Sequence, residues 1–176
     1  KYRRRGVVGI DLAGTERHAL ELDPKEVPRY RELYRHARAN GLKTTVHTGE
    51  TAGTGAAGVR AVVEQLEPER IGHGIRAAQD PAVMALLRER GVTLELCPSS
   101  YLATRAVASL EELGRIIATL WASGVRFTIN TDGPYLLDTS MRGEVKLLRD
   151  AGLLSEEQLD QALRWAREAT FVEAAG

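Results

Sequence analysis

Four residues whose side chains could do chemistry each follow a short apolar run in this sequence: His47, His73, Cys97 and Asp132. An imidazole or a carboxylate held rigidly at the end of a strand can bind Zn²⁺ or a similar ion. The carboxyl ends of parallel strands in an α/β fold share one edge, where active sites lie. Four such residues at equivalent places therefore indicate a single catalytic or metal-binding site.

The first of these motifs, VHTGET at residues 46–51, places the carboxyl of Glu50 three residues after His47. The glycine between them permits a tight turn. A carboxyl beside a metal-binding imidazole can act as a general acid or base. In RIGHGI, residues 70–75, two glycines flank His73, so backbone could approach a ligand closely there.

Each motif also has an ordinary structural interpretation. His47 and Glu50 could form a strand-end pair at the surface, and His73 could be a buried histidine that bonds to a carbonyl group. Asp132 begins an Asp-Gly-Pro run, which is common turn chemistry. The recurrence of the pattern along the chain is what favours a functional site.

Several well-known catalytic motifs are absent from the sequence. It has no HExxH, no P-loop and no GxGxxG after a strand. Deaminases with a PCxxC zinc motif need a second cysteine, and Cys97 is the only cysteine here. We expect Cys97 to be a small buried residue of the core, and His18 and His36 to be solvated.

The elements that must position these residues are short strands that alternate with helices. Apolar runs predict strands at 7–12, 44–47, 70–73, 93–97 and 127–132, the first of them buried on both faces. Capping signals predict helices from Asp23-Pro24 or Pro28 to Asn40-Gly41, over 59–66, from Asp80-Pro81 to Gly91, from a capping box at Ser109 to Gly124, over 140–149, and from a second capping box at Ser155. Repeated strand–helix units predict one α/β domain, residues 1–176, with a parallel sheet.

Both a doubly wound sheet and a (β/α)₈ barrel have this repeat. Five units are too few to close an eight-stranded barrel, whose usual length is about 250 residues. The residue pattern alone leaves the two architectures open.

The charge and cysteine content of the sequence exclude some classes of binding partner and indicate a cellular compartment. Lys and Arg total 24 and Asp and Glu total 24, and this zero net charge argues against nucleic acid or an anionic membrane as the partner. A single cysteine forms no intrachain disulfide, which indicates a reducing, cytoplasmic setting. We find no signal-peptide pattern and no apolar run of about 20 residues, so we expect no membrane span.

Taken in order, the segments DLAGTE, HTGE, RIGHGI, LCPSSYLAT and NTDGP resemble the motif series of the adenosine deaminase family. The resemblance extends from Val7 to about Phe171, and five motifs in sequence are highly specific. Members of that family are metal-dependent hydrolases with a (β/α)₈ barrel. The resemblance therefore implies the barrel rather than the open sheet, with this chain forming about strands four to eight.

The resemblance also implies roles for individual residues. His47 and Asp132 would be ligands of one Zn²⁺ ion, and Glu50 would protonate N1 of a purine nucleoside. His73 would orient the metal-bound water and take part in proton transfer. The backbone N–H of Gly14 would bond to purine N3. The reaction would replace the 6-amino group of adenosine by oxygen and release ammonia. Residues 99–101, Ser-Ser-Tyr, would shape the loop after the seventh strand.

One departure from the family is an absence. The family takes two more zinc ligands from a His-x-His on its first strand, and this sequence has no such motif. We therefore expect the N-terminal strands to lie outside this chain. We also expect the 176-residue segment alone to be inactive, to bind zinc poorly, and to self-associate through its open sheet edges.

The other departure is Gly133, where the family has a second aspartate that contacts purine N7. Glycine cannot make that contact, so 6-aminodeoxyfutalosine, a nucleoside of menaquinone biosynthesis, is an alternative substrate to adenosine. Two further interpretations remain. One is a non-catalytic relative that binds nucleosides. The other is a barrel hydrolase with a carboxylated lysine as ligand, but Lys43 precedes its strand and Lys146 is helical.

Overall fold

The computed structural model describes residues 5–14 and 25–172, which form five strands and seven α-helices. The strands are β1 (Gly9–Leu12), β2 (Lys43–Thr48), β3 (Arg70–His73), β4 (Thr93–Leu96) and β5 (Phe127–Ile129). The helices are α1 (Val27–Ala39), α2 (Gly55–Leu66), α3 (Pro81–Arg90), α4 (Pro98–Ala103), α5 (Leu110–Ala122), α6 (Met141–Asp150) and α7 (Glu156–Glu168). A 3₁₀-helix, Ile75–Gln79, connects β3 to α3.

The five strands form one parallel sheet in the order β1-β2-β3-β4-β5. A doubly wound sheet reverses its strand order at a switch point, and no reversal occurs among these strands. Right-handed crossovers between strands in consecutive order place every connecting helix on the same face, as in a barrel. The prediction of an α/β fold with a parallel sheet is therefore confirmed.

The two faces of the sheet differ in chemistry because side chains alternate along each strand. Apolar side chains point to the helical layer and are fully buried, among them Val46, Ile71, Leu94 and Phe127. The opposite face is polar. There the Glu95 carboxylate lies 3.2 Å from the Arg70 guanidinium and accepts a 3.3 Å hydrogen bond from the Thr45 hydroxyl. His47 lies on this polar face, two residues beyond Thr45 along β2.

Several predicted boundaries need correction. The first strand begins at Gly9, and Val7 and Val8 are 38% and 39% exposed, so the prediction of a strand buried on both faces was wrong. The reason is that β1 has only one strand partner among the described residues. The last strand ends at Ile129 rather than at 132.

The helix signals were read more accurately. Pro28 lies in the first turn of α1, whereas Asp23-Pro24 and His18 lie outside the described residues. Ser155 forms a complete capping box with Gln158. At Ser109 only half of the predicted box forms, because the Glu112 carboxylate accepts from the backbone N–H of Ala108 instead. The sequence did not predict α4. Among the described residues, no helix has the length and apolar character needed to cross a bilayer.

Candidate active site

His47 lies near the carboxyl end of β2, and its imidazole has neighbours on β1 and on β3. The Asp11 carboxylate of β1 lies 2.8 Å from its Nδ1. This interaction raises the pKa of His47, while partial burial opposes the shift. With Nδ1 engaged by Asp11, the imidazole has Nε2 left to bind a metal, the usual arrangement of a carboxylate–histidine–metal site.

Gly72 of β3 lies directly beside His47 in the sheet register. A Cβ atom at Gly72 would stand 2.8 Å from both Cγ and Cδ2 of the imidazole. Carbon atoms in ordinary contact are about 3.5–4.0 Å apart, so only glycine fits here. Because Gly72 has no side chain, the His47 imidazole can lie against the backbone of β3.

His73 ends β3 and is 5% exposed, with a left-handed φ of 69° that is uncommon for a residue other than glycine. Its ring packs edge-on against two others, with centroids 5.3 Å from His47 and 5.6 Å from Tyr101. Its Nε2 lies 3.6 Å from Oε2 of Glu50. The structure thus brings His47, Glu50 and His73 into one cluster.

Glu50 lies in the loop after β2 and is fixed through both its side chain and its backbone. The Thr104 hydroxyl, which donates to the Ser100 carbonyl at 2.8 Å, lies 3.4 Å from Oε1 of Glu50. The guanidinium of Arg76 donates from Nε to the Glu50 carbonyl oxygen at 3.2 Å and also donates to the carbonyl of Ala106. The largely buried Arg76 therefore joins the Glu50 turn to the loop after α4.

Asp132 lies three residues beyond the end of β5, with a left-handed φ of 57°. The Ser100 hydroxyl of α4 donates to its Oδ2 at 2.7 Å. Its charge contributes to the raised pKa of His47. Positive φ at a non-glycine residue costs conformational energy and is concentrated at functional sites. Here it occurs at two of the four residues that the sequence singled out.

The remaining predicted residues have different surroundings. Cys97 is buried and burial raises the pKa of its thiol, in line with a core residue. His36 is exposed, as predicted. Gly133 follows Asp132, and among the described atoms a Cβ there would meet only Leu136 Cβ, at 3.8 Å. Gly14 lies two residues beyond β1, and a Cβ there would meet no described atom within 4 Å.

Whether these side chains fit a zinc ion depends on their type and number. An imidazole with Nε2 available and an oriented carboxylate are both common zinc ligands. Among residues 5–14 and 25–172, however, no three His, Cys, Asp or Glu side chains gather into a metal site. Catalytic zinc usually takes three protein ligands and a water. His47 and Asp132 therefore fit part of such a site.

Sequence reasoning missed Asp11 as a member of the site. The signal was present, because Asp11 is a charged residue inside an otherwise apolar strand. Ser100 was expected only to shape its loop, and its bond to Asp132 was not foreseen. These contacts join residues that are distant in the chain, so no local pattern carries them.

Comparison with known proteins places these motifs in context. The sequence model of a family described as adenosine deaminase matches residues 1–176. An aminodeoxyfutalosine deaminase from Acidothermus cellulolyticus is 36% identical over 188 residues, covering 97% of this chain and 51% of that protein. An adenine deaminase from Sinorhizobium medicae is 35% identical, covering 98% of this chain and 50% of that protein.

A solved structure gives the corresponding match in three dimensions. An amidohydrolase from Burkholderia ambifaria with bound Zn superposes with a TM-score of 0.79 at 22% identity, covering 95% of this chain and 44% of that one. The likeness shows the fold, which confirms that the five-stranded sheet is part of a barrel. The chain spans about half the length of the relatives that it matches.

Proposed function

The chain belongs to the adenosine deaminase family, and we propose that it forms the C-terminal part, about strands four to eight, of a zinc-dependent hydrolase that removes the 6-amino group of an adenine nucleoside. The observation that carries the proposal is the cluster of His47, Glu50 and His73, with the Asp132 carboxylate, at one edge of a parallel sheet. This edge is where barrel enzymes hold their catalytic groups.

His47 and Asp132 would hold the zinc ion together with ligands from N-terminal strands outside this chain. When bound, zinc supplies a water that is activated at neutral pH. Asp11, 2.8 Å from Nδ1 of His47, would hold the proton on that nitrogen and leave Nε2 for the metal, and Ser100 donates to one oxygen of Asp132. The polar inner face of the sheet would line the barrel interior once the remaining strands are in place.

Glu50 and His73 would carry the proton chemistry. Attack at C6 of the purine requires N1 to accept a proton, and Glu50 can donate one to that atom only if it begins protonated. Its side chain is 20% exposed and lies 3.6 Å from the buried imidazole of His73. His73 would take up the proton of the attacking water and return it to the 6-amino group, which then leaves C6 as ammonia. The Gly14 N–H would bond to purine N3.

The choice of nucleoside would depend on the contact that Gly133 cannot make. Glycine at this position gives no side chain to purine N7, which weakens the case for adenosine itself. Relatives about equally similar to this chain are named as aminodeoxyfutalosine deaminase and as adenine deaminase. We propose 6-aminodeoxyfutalosine as the alternative substrate, because a missing ring contact can be offset by contacts to a larger 5′ group.

The test uses the protein that carries this chain, purified with zinc. Ammonia release and the shift in purine absorbance are measured with adenosine, adenine and 6-aminodeoxyfutalosine, and kcat/KM is compared. Turnover of at least one substrate, abolished by Glu50→Gln, supports the proposal. Adenosine turnover equal to or better than that of 6-aminodeoxyfutalosine contradicts the alternative substrate.

A non-catalytic nucleoside-binding protein is the competing function. Metal analysis of the purified protein distinguishes the hydrolase from the nucleoside-binding protein. Absence of bound zinc under metal-replete conditions would refute the proposal of a hydrolase. We expect the 176-residue segment by itself to show no turnover and to self-associate. Adenosine deamination by that segment would contradict the need for N-terminal zinc ligands.

A further inference from the structure

Glu144, in the first turns of α6, is a carboxyl that the chemistry above leaves unused. It is completely buried. Burial of a carboxylate is costly unless hydrogen bonds replace its lost hydration. Two such bonds are present: Oε2 accepts from the backbone N–H of Ser99 at 3.0 Å, and Oε1 accepts from the Thr139 hydroxyl at 2.6 Å.

The two donors belong to the two segments that carry the Ser100–Asp132 pair. Ser99 precedes Ser100 in the first turn of α4, and Thr139 closes the loop that begins near Asp132. Ser100 donates to Asp132 at 2.7 Å. Glu144 therefore bonds to the residue next to Ser100, the donor of the pair. It also bonds to Thr139, at the other end of the loop that carries Asp132, the acceptor.

The loop after β5 packs few apolar side chains near Asp132, although two backbone hydrogen bonds close it, from the Leu137 N–H to the Gly133 carbonyl at 2.9 Å and from the Thr139 N–H to the Pro134 carbonyl at 3.1 Å. Tyr135 is 101% exposed and Leu136 is 88% exposed, so neither packs into the core. Asp132 itself has the left-handed φ of 57°. Catalytic constellations must be held to within about 0.5 Å of their productive geometry. In a loop with so little apolar packing, the side-chain bonds of Glu144 and Ser100 add to the backbone bonds in holding Asp132.

We propose that Glu144 is a positioning residue that holds Asp132 in the orientation needed to ligate zinc, through the Ser99–Ser100 turn and through Thr139. The inference rests on the proposed function, in which Asp132 is a zinc ligand. Glu144 touches neither metal nor substrate in this role. It acts by fixing the N-terminus of α4, and with it the hydroxyl that bonds to Asp132.

Zinc affinity is the first measurement, made on the metal-depleted protein that carries this chain by competition for Zn²⁺ with a chromogenic chelator. Loss of outer hydrogen-bond partners typically weakens metal binding about 10–100-fold, and we expect a change of this size for Glu144→Ala. Glu144→Gln keeps an acceptor oxygen for the Ser99 N–H and should lose less. Glu157→Ala removes an exposed glutamate from α7 and serves as the control with unchanged affinity.

A double-mutant cycle then tests the route of the effect. Ser100→Ala removes the bond to Asp132 directly. Because Glu144 acts through Ser100 and also through Thr139, the double variant Glu144→Ala/Ser100→Ala should lose less zinc affinity than the sum of the two single losses. Additive losses would overturn the proposed route. If Glu144→Ala does not fold, Glu144→Gln, which keeps the volume of the side chain, takes its place in the same cycle.

Hydrogen exchange of the metal-free protein gives a readout independent of zinc. We expect faster exchange over residues 98–101 and 131–133 in Glu144→Ala than in wild type or in Glu157→Ala. Wild-type exchange there, or wild-type zinc affinity in a folded Glu144→Ala variant, would overturn the inference. Failure of the wild-type protein to bind zinc would instead overturn the proposed function, and the exchange measurement would still decide the role of Glu144.

Discussion

Replacement of Gly72 by alanine is expected to disable the candidate metal site without changing any polar group. The added Cβ would stand 2.8 Å from Cγ and Cδ2 of His47 and 3.0 Å from Cε1. Ordinary carbon contacts need about 3.5–4.0 Å, so the imidazole or the strand has to move by about 0.7 Å or more. That displacement exceeds the roughly 0.5 Å within which catalytic groups must be held.

The size of the effect follows from this displacement. A misplacement of about 1 Å can cost about 100-fold in rate, or about 2.7 kcal/mol of transition-state stabilisation. Overpacking of this kind also lowers the free energy of unfolding by about 1–3 kcal/mol. Both quantities should be measured on the protein that carries this chain, as kcat/KM and as the midpoint of urea unfolding. Zinc affinity should fall in parallel with kcat/KM.

Gly143→Ala is the matched control, because its Cβ would meet only the hydroxyl oxygens of Thr139 and Ser140, at 3.4 and 3.5 Å. Alanine within a helix is more stable than glycine by about 0.5–1 kcal/mol, so this variant should be active and slightly stabilised. A Gly72→Ala variant with wild-type zinc affinity and kcat/KM would refute the reasoning, since it would mean that His47 does not need its present position.

Other changes test the remaining parts of the site. The Gly133→Asp variant has room for its new side chain, which could contact purine N7. Its kcat/KM for adenosine should rise about tenfold or more relative to its kcat/KM for 6-aminodeoxyfutalosine. An unchanged ratio would count against a purine contact at this position. In Asp11→Asn, loss of the charge beside His47 should weaken zinc binding about 10–100-fold in a chelator competition, whereas wild-type affinity would show that Asp11 is dispensable. The single thiol, Cys97, should react with an aromatic disulfide reagent only as the protein unfolds, because burial raises its pKa; immediate reaction in the native protein would contradict its buried position.

Local signals in the sequence were sufficient for the alternation of strands and helices and for most helix ends. The Ser155 capping box and the start of α1 at Pro28 involve residues within one helical turn, so the local sequence pattern predicts them. The boundaries of β1 and β5 depend instead on which neighbours each strand has. Both strands have one partner among the described residues, and both are shorter than their apolar runs predict.

The site was predictable only in outline, for the same reason. Polar residues after apolar runs identified His47, Glu50, His73 and Asp132, because their position relative to a strand is local information. Their partners could not be found in this way. The Ser99–Glu144 contact joins residues 45 positions apart, and it depends on how α4 and α6 pack together.

The proposed catalytic groups and the proposed substrate-contacting position lie on different elements. His47 and His73 lie on neighbouring strands in the interior of the sheet, where glycine and aromatic contacts fix their rings. Gly133 lies instead on a loop beyond β5, next to side chains that are almost fully exposed. Substitutions on such a loop can change which substrate binds while the strand-borne groups keep their geometry, because loops tolerate variation that packed strands do not. A departure from the family pattern at Gly133 is therefore compatible with the proposed deamination, whereas a side chain at Gly72 would not be.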